Sequence, residues 1–142
     1  MFEMDYRLEN DCVFIGTLSL CRIMLMKDAN YPWVILVPQR ADISEVFQLD
    51  PDDQEQLIWE SSFVAERLLK TFDGDKMNIA ALGNVVPQLH IHHVVRSRND
   101  AAWPNPVWGA VPAKAYIVSE LDRRVELLKN TFETSTFKPA GE

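Results

Sequence analysis

The pattern of apolar residues predicts an early group of strands. Large and β-branched apolar side chains are dense between Cys12 and Leu25, and Gly16 interrupts them, which favours a strand pair. The segment from Lys27 to Pro32 has the composition of a turn. The continuous apolar run 33–38, which ends at a proline, then predicts a buried strand.

A long amphipathic helix is predicted next. Asp50 is a suitable N-cap, Pro51 suits the first helical position, and the two aspartates that follow complement the helix dipole. Apolar residues then recur at helical spacing: Leu57, Ile58, Val64, Ala65, Leu68 and Leu69. We expect this helix to continue to Phe72 and to end at the Asp73-Gly74-Asp75 sequence.

The remaining pattern completes an α+β architecture. Residues 77–82 and 88–95 predict two strands, an antiparallel pair joined by a turn at Gly83-Asn84. Residues 99–112 are rich in proline and tryptophan and predict irregular structure, and Ser119 and Glu120 are suited to begin a last helix. The tail 134–142 looks loose. We therefore expect a single domain over residues 1–142 with a mainly antiparallel sheet.

Composition narrows the class of protein. The chain has 142 residues, 47% of them hydrophobic and 25% charged, which is ordinary for a globular domain, and the net charge of −7 argues against stable binding to nucleic acid or an anionic membrane. No apolar run reaches the roughly 18 residues of a membrane span. The first residues lack the pattern of a secretory signal. Cys12 and Cys21 have no metal or redox spacing and are expected to be buried thiols. A cytoplasmic location is expected.

All three histidines lie within four positions, at His90, His92 and His93. In an extended strand, alternate side chains share a face, so Gln88, His90 and His92 would line one face. Leu89, Ile91 and His93 would then lie on the other. Such a titratable row is the strongest indication of function in the sequence.

Three kinds of chemistry are open to this row. A neutral imidazole is a nucleophile, so one histidine can attack phosphorus and form a covalent intermediate. A His-x-His pair can also chelate a metal, but zinc needs about three or four ligands, and no further ligand has a matching spacing. The third possibility is that these histidines only satisfy local hydrogen bonds.

The sequence 88–96 resembles the motif of the histidine triad (HIT) superfamily, His-φ-His-φ-His-φ-φ, where φ is apolar. The preceding segment 78–87, the strand 33–38 and the helix 50–72 have the order expected of that family, so the resemblance covers about residues 10–100. It implies a HIT-like fold with a five-stranded, mainly antiparallel sheet, one long helix and a C-terminal helix. Residues 101–142 would then form a specificity or dimer segment and the last helix.

The resemblance also implies roles for single residues. His90 matches the family's nucleophile, which attacks the α-phosphate of a nucleotide, and His92 matches the histidine that contacts the phosphate and the leaving group. Asp28, or else Asn30, matches the residue that binds the ribose hydroxyls. Asn78 resembles an amide used near the phosphate, and Asn84 in the following turn is a further candidate for substrate binding.

These roles imply a hydrolase or transferase that forms a nucleotidyl-His90 intermediate. Its substrates would be dinucleoside polyphosphates or nucleoside phosphoramidates, it would be a homodimer, and it would need no cofactor, although a divalent cation could accompany the substrate phosphates. The alternatives are a nucleotide-binding module with weak catalysis and, less favoured, a metal site at His90 and His92.

The chain departs from the family pattern at several positions. Gln88 replaces the first histidine of the triad; its carboxamide can hold a neighbouring imidazole but cannot titrate. His93 replaces an apolar residue and is expected to face the helix layer or a subunit contact. Arg96, by contrast, matches the family's arginine just after the motif, and it would anchor its loop through carboxylates or meet a substrate phosphate. Trp103 and Trp108 would form a wall over the base, a partner surface or simple packing.

Overall fold

A six-stranded antiparallel sheet organises the computed structural model, which describes residues 1–141. The strands lie in the order β4-β5-β3-β2-β1-β6. The helices and strands along the chain are α1 Tyr6–Asp11, β1 Cys12–Thr17, β2 Cys21–Met26, β3 Trp33–Pro38, α2 Pro51–Thr71, β4 Lys76–Ala80, β5 Ile91–Arg96, α3 Val118–Thr131 and β6 Lys138–Pro139. The predicted α+β class with an antiparallel sheet is confirmed.

The long helix follows the predicted signals. The Asp50 carboxylate accepts a hydrogen bond from the backbone N–H of Asp53, and Pro51 begins the helix. Its buried face contributes Leu57, Val64 and Leu68 to the core. The helix therefore lies where its cap, its proline and its apolar stripe all predict it.

The prediction of five strands was one too few. The tail, expected to be loose, forms β6, which pairs with the end of β1 at Gly16 and Thr17. A Cβ atom at Gly16 would lie 2.5 Å from the carbonyl oxygen of Lys138 and 2.6 Å from the ring of Phe137. The tail reaches the sheet edge because glycine leaves that space open.

Two other elements differ from the prediction. Helix α1 was not predicted; Asp5 caps it by accepting from the N–H of Arg7, and Leu8 is its buried residue. Strand β5 begins at Ile91 rather than at Gln88. Gln88 and His90 therefore lie in the loop that enters β5, and strand alternation does not govern their directions.

The two faces of the sheet have different covers. Helices α2 and α3 pack on one face, where Val34 and Leu36 of β3 join the main core. The other face carries Trp33, Ile35 and Val94, and residues from the N-terminus and from the 102–108 loop cover it. The site described below lies on this second face.

The cysteines and the helices agree with two simpler expectations. Cys12 and Cys21 are both free and buried, and burial raises the pKa of the Cys12 thiol to about 12. Within residues 1–141, every helix is too short or too polar to cross a membrane.

Candidate active site

A cavity of about 300 Å³ brings His90 and His92 together on the face of the sheet away from α2 and α3. The loop that leads into β5 supplies one wall, and two tryptophans supply the other. Its lining residues are Met26, Trp33, Leu82, Gly83, Asn84, Val85, Val86, His90, His92 and Trp108. The cavity is mostly apolar, with two imidazoles as its reactive groups.

The tautomer of His90 follows from one hydrogen bond. Its Nδ1 lies 2.7 Å from the backbone carbonyl oxygen of Gln88. Because a carbonyl oxygen only accepts, Nδ1 must carry the proton. In the neutral ring the lone pair is then on Nε2, so His90 has the tautomer that a nucleophilic Nε2 requires.

His92 is held in the opposite tautomer. The indole N–H of Trp33 donates to Nδ1 of His92 over 3.0 Å, and an indole nitrogen can only donate. The proton of neutral His92 is therefore on Nε2. Burial, together with the charges of His90 and His93, lowers the pKa of His92 to about 3, so His92 is a neutral N–H donor at pH 7.

The two imidazoles are packed against each other and against the tryptophans. The ring centroids of His90 and His92 are 4.9 Å apart at an interplanar angle of 70°. The ring of Trp108 lies 5.3 Å from that of His92, and the ring of Trp33 lies 5.6 Å from it. Three aromatic rings therefore restrict the movement of His92.

His93 lies on the opposite side of the sheet, as alternation within the strand predicts. Its Nδ1 donates to the carbonyl of Ile91 at 3.0 Å, and its Nε2 accepts from the hydroxyl of Ser61 in α2 at 2.7 Å. Burial lowers the pKa of His93 to about 4, with the carbonyl contacts opposing the shift. His93 therefore fastens β5 to α2.

The side chain of Gln88 points to the N-terminal segment rather than to His90. Its Nε2 donates to the carbonyl of Glu3 at 2.8 Å, and its Oε1 accepts from the N–H of Asp5 at 2.9 Å. This side chain lines a neighbouring surface cavity of about 330 Å³, together with Met1 and Ile43. The expectation that the Gln88 carboxamide holds an imidazole is wrong; its backbone carbonyl makes that contact.

Of the four predicted substrate contacts, only Asn84 lines the histidine cavity. Oδ1 of Asp28 accepts from the N–H and the side-chain amide of Asn30 and from the N–H of Lys114, at 2.8–3.2 Å. The Asn30 amide also donates to the carbonyl of Pro112. This pair fastens the 112–114 segment to the turn before β3.

Asn78 and Arg96 belong to a polar cluster in which Arg96 is buried and Asn78 is half-buried. Arg96 pairs with Asp100 through Nε at 2.8 Å and Nη2 at 3.1 Å, and its Nη1 donates to Oδ1 of Asn78 at 2.7 Å. Burial opposes ionisation of Asp100, but Arg96 and three backbone N–H groups lower its pKa to about 2. Trp103 covers the guanidinium at 5.6 Å. Arg96 therefore anchors its loop through a carboxylate, the first of the two expected roles.

The metal alternative finds no complete ligand set. Among residues 1–141, no group of three or more His, Cys, Asp or Glu side chains is arranged to hold an ion. Nδ1 of His90 and Nδ1 of His92 are already engaged in hydrogen bonds. The pair can offer only its two Nε2 atoms, fewer ligands than a zinc site needs.

Sequence reasoning missed Trp33 and the N-terminal segment as parts of the site. Trp33 lies 59 positions before His92 and reads as an ordinary residue of a buried strand. The contact of Gln88 with Glu3 spans 85 positions. No local signal in the sequence identifies Trp33; the pairing of β3 with β5 in the structure, which places Ile35 opposite His92 and Trp33 opposite Val94, brings Trp33 next to His92.

Comparison with known proteins identifies the family and the fold. The HIT domain model matches residues 7–99. A histidine triad protein from Bradyrhizobium japonicum is 43% identical with a TM-score of 0.90, covering 93% of this chain and 98% of the other. A histidine triad (HIT) protein from Sinorhizobium meliloti is 46% identical with a TM-score of 0.89, covering 92% and 97%. A histidine triad protein from Marinobacter aquaeolei is 44% identical with a TM-score of 0.90, covering 93% and 96%.

The chain belongs to the HIT domain family. Membership supports a function in nucleotide binding or hydrolysis. No curated protein sequence matches the chain.

Proposed function

We propose that this protein is a nucleotidyl hydrolase or transferase that acts on the α-phosphate of its substrate through a covalent nucleotidyl-His90 intermediate. The observation that carries the proposal is the 2.7 Å hydrogen bond from Nδ1 of His90 to the carbonyl of Gln88. It leaves the lone pair on Nε2 of a histidine that lines the cavity. Dinucleoside polyphosphates and nucleoside phosphoramidates are the proposed substrates.

The first step forms one bond and breaks one. The Nε2 lone pair attacks the α-phosphorus, and the bond to the leaving oxygen or nitrogen breaks with its electron pair passing to the leaving group. The imidazole is then positively charged and still carries its proton on Nδ1, where the carbonyl of Gln88 stabilises it. Water, or another acceptor, next attacks phosphorus, loses a proton and releases His90 with its lone pair restored.

His92 is suited to stabilise the transferring phosphoryl group. Because Trp33 occupies its Nδ1, His92 presents an Nε2–H donor. Its lowered pKa keeps it neutral, so this donor does not depend on protonation at physiological pH. A fixed donor in a mostly apolar cavity is most effective where negative charge develops.

The nucleoside would use the remaining lining. Trp108, Met26 and Leu82 offer apolar surface for a base, and Asn84 is the proposed amide contact of the phosphates. Asp28 lies outside the cavity lining; the hydrogen bonds that it makes with the described residues use Oδ1, so Oδ2 is the oxygen proposed to bind a ribose hydroxyl. Asn30 and Asn78 are weaker candidates, because Asp28 and Arg96 engage their amides.

A homodimer is part of the proposal. Phe47, Ile58 and Trp59 have exposed fractions of 76%, 66% and 57%; Phe47 precedes α2, and Ile58 and Trp59 lie in its first half. Burial of such surface stabilises self-association. Light scattering of the purified chain would give the oligomeric state. The chemistry proposed above requires no cofactor.

The test is hydrolysis of diadenosine tetraphosphate, adenosine phosphoramidate and their guanosine counterparts by wild type and His90→Asn, with and without chelator. We expect turnover to disappear in His90→Asn while nucleotide affinity changes little. His93→Asn is the matched control, because it removes an imidazole on the other face of the sheet. We expect this variant to keep its turnover at temperatures at which it remains folded. Equal turnover in wild type and His90→Asn would refute the mechanism.

One observation favours a second candidate, a nucleotide-binding module with weak catalysis. The first triad position supplies no imidazole, and its side chain is engaged by Glu3 and Asp5. In that case wild type would bind AMP or GMP, as measured by calorimetry, without His90-dependent turnover.

A further inference from the structure

We propose that Gln88 is a positioning residue that latches the N-terminal arm, defined as residues 2–5, to the catalytic loop, defined as residues 81–90. Through this latch, the carbonyl of Gln88 is kept on Nδ1 of His90. The inference rests on the proposed function, in which Nε2 of His90 is the nucleophile. In this proposal the side chain of Gln88 contacts the arm and no imidazole, while its backbone carbonyl contacts His90.

The latch resembles one unit of strand pairing. The carbonyl of Glu3 and the N–H of Asp5 flank Met4, and an extended chain presents such a pair to a neighbouring strand. The Gln88 carboxamide meets both, donating to Glu3 at 2.8 Å and accepting from Asp5 at 2.9 Å. A carboxamide has the donor and the acceptor that this pairing requires.

The arm is itself anchored, so it can serve as a support. Arg7, just beyond the arm, donates to the carbonyl of Val85 at 3.0 Å, a second link to the catalytic loop. Phe2 and Met4 pack against the apolar cluster on the second face of the sheet, and the ring of Phe2 lies 5.4 Å from the guanidinium of Arg22. The arm is therefore held by the sheet at one end and by α1 at the other.

The arm also lies within electrostatic reach of the nucleophile. The hydrogen bond from Arg7 is the main cause that lowers the pKa of Asp5, and the charge of His90 lowers it further. The carboxylate of Asp5 would thus favour the positive charge that His90 carries in the covalent intermediate.

The connection from the latch to His90 runs through a single residue. The carbonyl of Gln88 accepts from His90, and the next N–H, that of Leu89, donates to the carbonyl of Ile43 at 2.9 Å. The peptide group between Gln88 and Leu89 is thus held on two sides, and the latch fixes Gln88 from a third. When the latch is lost, only the Leu89–Ile43 hydrogen bond and His90 itself hold this peptide group, so we expect part of the population to turn and the His90 proton to move in part to Nε2, where it removes the attacking lone pair.

The first experiment compares Gln88→Ala with Gln54→Ala. Gln54 also donates from its carboxamide to a backbone carbonyl, that of Leu49 at 2.9 Å, but it lies outside the histidine cavity. In Gln88→Ala we expect kcat to fall about threefold to tenfold, the effect of about one net hydrogen bond, with KM changed less than twofold. Gln54→Ala should keep the kcat of wild type.

The second readout is the tautomer of His90 by ¹⁵N NMR of the imidazoles. Because the chain has only three histidines, each signal can be assigned with one substitution. We expect wild type and Gln54→Ala to carry the proton on Nδ1 of His90, and Gln88→Ala to show a mixture of tautomers. A wild-type tautomer and a wild-type kcat in Gln88→Ala would overturn the proposal.

The arm side of the latch has its own test. Asp5 has φ −58°, which proline accepts, so Asp5→Pro removes the N–H that Gln88 uses at a compatible φ. Asp5→Ala is the matched control, because it also removes the cap of α1 and the Arg7 pair but keeps the N–H. We expect Asp5→Pro to lower kcat further than Asp5→Ala, and this difference to vanish in the Gln88→Ala background; a difference that persists there would refute the latch.

The two proposals fail in different ways. Absence of turnover in wild type would refute the proposed function, yet the tautomer spectra would still test the latch. Turnover that requires His90, together with an unchanged His90 tautomer in both Gln88→Ala and Asp5→Pro, would refute the latch and leave the function in place.

Discussion

Replacement of Trp33 by phenylalanine tests how the protein fixes the donor at His92. Trp33 is buried, and its indole N–H is the group that hydrogen-bonds to Nδ1 of His92 at 3.0 Å. Phenylalanine keeps an aromatic ring in contact with His92 but has no N–H. The variant therefore leaves a buried acceptor without its donor.

The size of the effect follows from two contributions. A buried acceptor that loses its donor costs about 1–3 kcal/mol, and the smaller ring adds about 1 kcal/mol for the space it leaves in a buried cluster. We expect a loss of about 2–4 kcal/mol in the free energy of unfolding. His92 is also free to move its proton from Nε2 to Nδ1, so the donor facing the phosphoryl group is lost in part. We expect kcat to fall about tenfold to a hundredfold.

Trp108→Phe is the control within the same cavity. Trp108 contacts His92 at 5.3 Å, but among residues 1–141 its buried indole nitrogen has no hydrogen-bond partner. Tryptophan to phenylalanine at this position makes the same change in ring size as at Trp33, but it breaks no hydrogen bond. We expect Trp108→Phe to change the free energy of unfolding by less than about 1 kcal/mol.

Urea denaturation and steady-state hydrolysis, combined with ¹⁵N spectra of His92, measure these effects. If Trp33→Phe and Trp108→Phe lose the same stability, and His92 keeps its Nε2 proton in both, the Trp33 hydrogen bond does not set the tautomer. The assignment of His92 as a fixed neutral donor would then be wrong.

Three further predictions concern stability. Asp100→Asn leaves Arg96 buried without its carboxylate, and we expect urea denaturation to give a loss of about 3 kcal/mol. Burial lowers the pKa of His92 to about 3 and of His93 to about 4, so near pH 5 the unfolded chain binds protons that the folded chain does not. Stability should therefore fall as pH drops from about 6.5 towards 4, by about 2 to 3 kcal/mol per unit, and denaturation of His93→Gln should show about half that slope. Gly16→Ala should detach β6, measured as faster amide exchange in the tail, with the rest of the sheet retained.

The predictions that succeeded depend on information contained within one segment. The cap at Asp50, the proline after it and the apolar stripe lie together, so helix α2 is determined locally. The direction of His93 is also local, because Ile91 to Arg96 is a continuous strand in which alternation holds. Residues of this kind can be placed from sequence because nearby chain supplies the constraint.

The predictions that failed depend on partners far away in sequence. Strand alternation does not apply to Gln88, because β5 begins three residues later. The carboxamide of Gln88 forms hydrogen bonds with Glu3 and Asp5 instead. β6 depends on the space that Gly16 leaves at the sheet edge. Neither the glycine nor the glutamine carries a local signal of its partner, so only the fold reveals them.

The same limit applies to the polar candidates beside the site. The sequence predicts a substrate contact for Asn78 from its amide and its place before the motif, but in the structure its Oδ1 accepts from Arg96. Asp28 and Asn30 bind each other and the 112–114 segment, a contact across more than 80 positions for Lys114. A polar residue type therefore indicates what chemistry is available, while its partners decide whether a substrate can use it.

The two cavity histidines, equivalent in sequence, are made different by what meets their Nδ1 atoms. A carbonyl meets Nδ1 of His90, so its Nε2 has a lone pair; an N–H meets Nδ1 of His92, so its Nε2 has a proton. A nucleophile beside a hydrogen-bond donor requires these opposite tautomers. A donor in place of the carbonyl at His90, or an acceptor in place of the N–H at His92, would abolish one of the two roles. Because the pKa of His92 is about 3, its charge state does not change in the range where an imidazole nucleophile works. The neutral Nε2–H donor of His92 is therefore present throughout that range, and its role is set by the Trp33 hydrogen bond and not by pH.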